Sequence, residues 1–256
     1  MLSKKPICIL RAAIYVCGGL AGVFQLLSAL LSFDPNANYF LGGAILPIFA
    51  IVFAMLGVGS AVAFAFLNKE ELPQASRFAF LPPAIFFCAL FPAVLSFANG
   101  SSPIADRLAV VSAILLLLSA LYCLLSIFRN DQKHRGILAL LGFSPVLALA
   151  SLTLFFYFDK SIEMNSPLKV SLQAGLLFGM FLFLCELRRL LGRPLPKLLL
   201  GLRLSLFPIA SLGSCLLVPL VITGGCKRLD YLFGALLLLS LQIALLFDLF
   251  STRKNS

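Results

Sequence analysis

Apolar residues fall into eight stretches along the chain, at roughly 10–32, 41–67, 78–98, 108–128, 137–157, 168–187, 202–223 and 230–250, divided by short polar connections. Each stretch is long enough to cross about 30 Å of hydrocarbon at about 1.5 Å per residue. The runs are continuous, without the polar residue at every second position that a membrane barrel requires. A continuous apolar run in lipid is helical, because only a helix bonds its own backbone polar groups. The predicted fold is therefore all-α, an integral membrane bundle of eight transmembrane helices, forming one transmembrane domain over residues 1–256. The first stretch follows Lys4 and Lys5 as a secretion signal would. Its apolar length exceeds the core of a cleaved signal and no small-residue cleavage site follows, so a retained helix is expected.

Composition agrees with this pattern. Hydrophobic residues make up 61% and charged residues 12%, with a mean hydropathy of +1.06. Soluble domains run near about 45–50% apolar and about 25% charged, which excludes that class. The net charge of +10 takes its meaning from where the cations lie. Fifteen of them occupy the N-terminus and alternate connections: Lys4, Lys5, Arg11, Lys69, Arg77, Arg129, Lys133, Arg135, Arg188, Arg189, Arg193, Lys197, Arg203, Arg253 and Lys254. Five occupy the other side: Arg107, Lys160, Lys169, Lys227 and Arg228. The positive-inside rule then puts both termini in the cytoplasm. The excess is an orientation signal, so no nucleic-acid partner is predicted; the partners expected are the bilayer and anionic lipids at the cytoplasmic face, drawn by the Arg188–Arg203 cluster. Tyr39, Tyr157 and Tyr231 fall at the outer boundary, where amphipathic rings settle.

The halves 1–130 and 131–256 share landmarks in the same order. Arg11 leads to Phe33-Asp34 as Arg135 leads to Phe158-Asp159, Leu72-Pro73 matches Leu195-Pro196, and Arg107-Leu108 through Ser119 matches Arg228-Leu229 through Ser240 at an offset of 121. Two parallel four-helix repeats, related by an axis along the membrane normal, would produce this order. Chance alignment of leucine-rich helices is the alternative.

Candidate chemistry is sparse. Pro92 in the third stretch and Pro219 in the seventh lie at similar depth; each removes a backbone bond, as interrupted helices do at transporter sites, although packing kinks give the same pattern. Gln25 continues the Gly18–Gly22 stripe, and small-residue faces on the first, second and sixth stretches predict that these three helices are central. Glu186 and Asp248 are intramembrane acids near the inner interface. Glu186 shares a face with Arg189, and pairing with Arg188, Arg189 or Arg203 is the structural alternative to an ion-coupling role. Asp34, Asn36 and Asn38 stand opposite Asp159, Glu163 and Asn165 in outer connections read as solvated turns. Seven cysteines without C-x-x-C spacing and a single histidine, His134, give no metal site, and no cofactor or catalytic residue is predicted.

Glu163-Met-Asn-Ser-Pro167 and Glu186-Leu-Arg-Arg-Leu-Leu-Gly-Arg-Pro194 resemble an uncharacterised family of bacterial multi-pass membrane proteins. The resemblance implies a bacterial plasma membrane and carries no activity. Two functions remain open from the residues: a small permease-like transporter with its site between the third and seventh spans, and a non-catalytic membrane subunit or sensor acting through partner proteins.

Overall fold

The computed structural model describes residues 4–68, 77–96, 102–128, 135–223 and 228–251. The helices are α1 (Lys4–Leu31), α2 (Leu46–Leu67), α3 (Leu81–Ser96), α4 (Pro103–Phe128), α5 (Arg135–Leu141), α6 (Phe143–Phe158), α7 (Pro167–Leu190), α8 (Lys197–Ile222) and α9 (Leu229–Ser251). A two-residue hairpin pairs Phe33 with Phe40 and Asp34 with Tyr39 between α1 and α2. Proline opens several helices where a backbone N–H would have no partner, as at Pro47, Pro103 and Pro167.

Among the described residues, seven helices are long and apolar enough to cross a membrane, counting α5 and α6 as one span over Gly136–Phe158. The third apolar stretch is the departure: α3 has 16 residues, about 24 Å of helix, preceded by a 3-10 turn at Arg77–Phe80. Proline chemistry accounts for the break between α5 and α6. Pro145 cannot donate to the Leu141 carbonyl, and the Ser144 hydroxyl donates to it instead, at 2.7 Å.

Six elements close into a ring in the order α8, α7, α6, α4, α3, α9, with α9 returning to α8. The interior of the ring is lined with buried apolar side chains. Phe80, Phe87, Tyr122 and Phe183 meet across it at ring separations of 5.9–6.5 Å. Leu90, Leu116, Leu152, Leu172, Leu237 and Leu241 are buried around them. The α1–α2 hairpin docks outside this ring, chiefly on α8, over a separate small core of Ile14, Ala61, Phe64, Ala65, Leu200 and Leu204.

The expectation that the first, second and sixth spans are central is therefore corrected for two of them. Among the long helices, α1 and α2 are the least buried, and α8, the seventh span, touches α1, α2, α7 and α9. A stripe of small residues marks one close contact, not a position surrounded by neighbours. Here Gly18 and Gly57 both receive Pro208 of α8, at distances of 3.2 and 2.9 Å from where a Cβ would stand. The remaining faces of α1 and α2 carry exposed Val16, Leu20, Val23, Ile51, Val52 and Met55, which suit lipid.

Helix pairings in the two halves also differ. α7 packs along α8, whereas α2 and α3, at the corresponding positions, are not among the packed pairs. The repeat of 1–130 in 131–256 draws no support from these pairings.

Candidate functional site

Among the described residues, the larger polar and charged side chains inside and at the ends of the spans gather chiefly in three places. The first is at the end where α6 stops and α7 and α9 begin. Asp159, Lys169 and Asp230 there are only 1%, 2% and 0% exposed. Arg228 joins the two acids: its Nε and Nη2 donate to Asp230 at 2.8 and 2.5 Å, and Nη2 lies 3.2 Å from Asp159 Oδ2. It also donates to the Ser161 hydroxyl, which itself donates to Asp159 Oδ2 at 2.8 Å. The Lys169 ammonium donates to the Asp159 carbonyl at 2.5 Å and the Ile162 carbonyl at 3.3 Å. Two cations and two carboxylates thus form a neutral, nearly dry cluster. Burial works against the Arg228 charge, but the Asp230 bonds and the Asp159 charge overcome it and hold the guanidinium above its ordinary pKa.

Two sequence expectations change at this cluster. Asp159, read as part of a solvated turn, is buried because its carboxylate accepts from Ser161 and Arg228. Tyr231, read as a headgroup-level ring, is wholly buried, 4.8 Å from Phe156 and beneath the Arg228 guanidinium at 5.5 Å. The expected meeting of the two connections does occur, through the Ser166 hydroxyl donating to the Asn38 carbonyl at 3.0 Å. A bond to Glu163 raises the Tyr39 phenol above its usual pKa.

The second place is the opposite end. Glu186 is 6% exposed and sits between Arg189 at 2.7 Å and Arg203 at 3.2 Å. Sequence reasoning named both partners, one on its own helix and one on α8. An acid held by two guanidinium groups is a fastening between α7 and α8.

The third lies deep between α8 and α9. Gln242 Nε2 donates to the Phe207 carbonyl at 2.8 Å and to the Ser211 hydroxyl at 2.7 Å, and the Ser214 hydroxyl lies 3.5 Å from Gln242 Oε1. Sequence reasoning missed Gln242; a lone amide inside the eighth stretch was the available signal.

The remaining sequence-derived positions are scattered. Gln25 is buried on α1, one turn beyond Gly22, which faces Ser211 and Cys215 of α8. Pro92 is exposed on the outer face of α3, whereas Pro219 is buried on α8. α3 and α8 are not among the packed pairs, and α9 stands between them, so the two prolines do not share a site. Asp248 falls within the backbone of α9, and its side chain lies outside the described residues, as do His134 and Cys226. Cys123 and Cys185 are buried, and the Cys185 thiol faces the Leu199 carbonyl at 3.7 Å. Among the described residues, no three His, Cys, Asp or Glu side chains come close enough to hold a metal ion. No protein-family model matches the chain, and no curated protein and no solved structure matches it.

Proposed function

We propose that the chain is an eight-span protein of a bacterial plasma membrane, with both termini cytoplasmic, serving as a non-catalytic subunit or sensor through contact with partner proteins. The crossing added to the seven long helices is α3 together with its 3-10 turn. Two bonds support it. The Ser102 hydroxyl donates to the Phe158 carbonyl, which sets the start of α4 at the Asp159 end. The Lys197 ammonium donates to the Phe66 carbonyl, which sets the end of α2 at the Glu186 end. The chain must travel between those ends from residue 67 to residue 102, and α3 is the described helix on that path. The charge asymmetry of the connections then makes the Glu186 end cytoplasmic.

One observation carries the functional reading: the path a solute would use is lined with apolar side chains. Phenylalanine, tyrosine and leucine side chains occupy the ring interior, α9 fills the gap between α3 and α8, and the charged clusters at the two ends are closed on themselves. The permease-like reading draws on a different observation. α8 carries Pro208 and Pro219 and touches four other helices, so bending it would shift the hairpin against the ring beside Gln242.

Labelling Cys215 separates the two. This half-buried thiol stands beside Gly22 and one turn from Ser211. In a variant keeping only Cys215, a membrane-impermeant maleimide should fail to react in sealed vesicles of either orientation. Purification of the native protein in mild detergent should retain a protein partner. Reaction at Cys215 that a solute suppresses would instead establish a carrier.

A further inference from the structure

The two ends of the bundle treat their cations differently. At the Asp159 end Arg228 meets two carboxylates and Lys169 is sealed beside them. At the Glu186 end the one acid whose side chain is among the described residues is taken by Arg189 and Arg203, and the sequence from Leu187 to Leu202 contains no other. Arg188, Arg193 and Lys197 therefore stand as surplus charge in the connection from α7 to α8.

Backbone geometry orders that connection. Gly192 takes a φ of +67°, its N–H donates to the Arg189 carbonyl, and the Arg193 N–H donates to the Arg188 carbonyl, both at 2.9 Å. This is a helix-ending turn that needs a left-handed residue at Gly192. Arg188 Nε is then held by the Pro194 carbonyl at 3.2 Å and Lys197 Nζ by the Phe66 carbonyl at 3.0 Å. Carbonyls fix the position of these cations without cancelling their charge. Arg193 and Lys197 are exposed, and so are Leu191, Leu198 and Leu67 around them. Apolar side chains exposed between ordered cations at a helix end suit the boundary between acyl chains and headgroups.

We infer that the inner ends of α2, α7 and α8 form a binding surface for an anionic phospholipid, whose phosphate is held by Arg188, Arg193 and Lys197 and whose acyl chains lie against Leu67, Leu191 and Leu198. The assignment stands under either functional reading.

The test titrates the purified full chain, in neutral detergent, with phosphatidylglycerol, phosphatidylcholine or inorganic phosphate, reading lipid retained by native mass spectrometry and the thermal midpoint. Phosphatidylglycerol should be retained and should raise the midpoint, while the other two do neither. Arg188→Gln, Arg193→Gln and Lys197→Gln together should weaken phosphatidylglycerol binding about a hundredfold, each cation near an anionic surface supplying about a fivefold factor. A matched variant, Arg129→Gln with Lys133→Gln and Arg135→Gln, should bind as the original chain does. Should the triple change at the site impair folding, Arg193→Gln alone should give about a fivefold loss. Equal retention of phosphatidylcholine, an equal loss in the matched variant, unchanged binding after the site changes, or a full effect from inorganic phosphate would each overturn the assignment.

Discussion

Arg228→Gln is expected to destabilise the protein by about 3–5 kcal/mol, the cost of removing one partner from a buried ion cluster. The change leaves Asp159 and Asp230, 1% and 0% exposed, with Lys169 as the buried cation beside them. Lys169 donates to backbone carbonyls of the Asp159 connection and cannot reproduce the two-toothed bond to Asp230. Heating in detergent followed by size-exclusion chromatography reads the loss. Lys160→Gln, one residue from Asp159 but exposed, should change little. Removing both charges of the bidentate pair, with Arg228→Gln and Asp230→Asn combined, leaves Asp159 with Lys169 and should recover much of the stability lost in the single variant. That recovery follows from the cost lying in stranded charge. If the double variant is no better than the single one, the cluster matters for its shape and the electrostatic account fails.

Gly57→Leu should be the next most damaging change, at about 3 kcal/mol, and should act by parting the α1–α2 hairpin from α8. A Cβ at Gly57 would stand 2.9 Å from the Pro208 Cβ, and the pyrrolidine ring cannot swing aside as a flexible side chain would. Gly59 supplies the comparison within the same helix. Nothing lies within 4 Å of the Cβ it would carry, so Gly59→Leu adds an apolar side chain to an open face. Thermal midpoints of the two variants in the same detergent measure the difference. Near-equal midpoints would mean that the hairpin does not depend on the Pro208 contact.

The parts of this architecture that sequence disclosed are those governed by rules local to one segment. Apolar length gives the helices, since a run such as 230–250 has no other way to satisfy its backbone in lipid. Glu186 and Arg189 are three residues apart on one helix, so their pairing follows from helical spacing. Arg203 was within reach of the same reasoning because it lies in the first two turns of the next helix, across a short connection.

Contacts between distant segments were hidden. Arg228 meets Ser161 across 67 positions, and no local pattern shows that the end of α6 and the start of α9 adjoin. Asp159 therefore looked like an ordinary turn residue. The glycine stripes on α1 and α2 misled for a related reason. Periodicity identifies a face that permits close approach, but how many helices use that face depends on the assembled bundle. Pro92 and Pro219 show the same limit, since equal depth in two spans says nothing about whether those spans touch.

Everything about the sides of the bundle depends on α3 crossing it. The direct measurement is the location of the two termini, with one epitope tag at each end of the chain and protease or antibody access compared in intact and opened cells. Eight spans require both tags on the same side, and the distribution of Lys and Arg requires that side to be the cytoplasm. The account predicts that both tags stay protected until the membrane is opened. Tags on opposite sides would mean an odd number of crossings, would leave α3 as a segment that does not traverse, and would contradict the eight-span architecture.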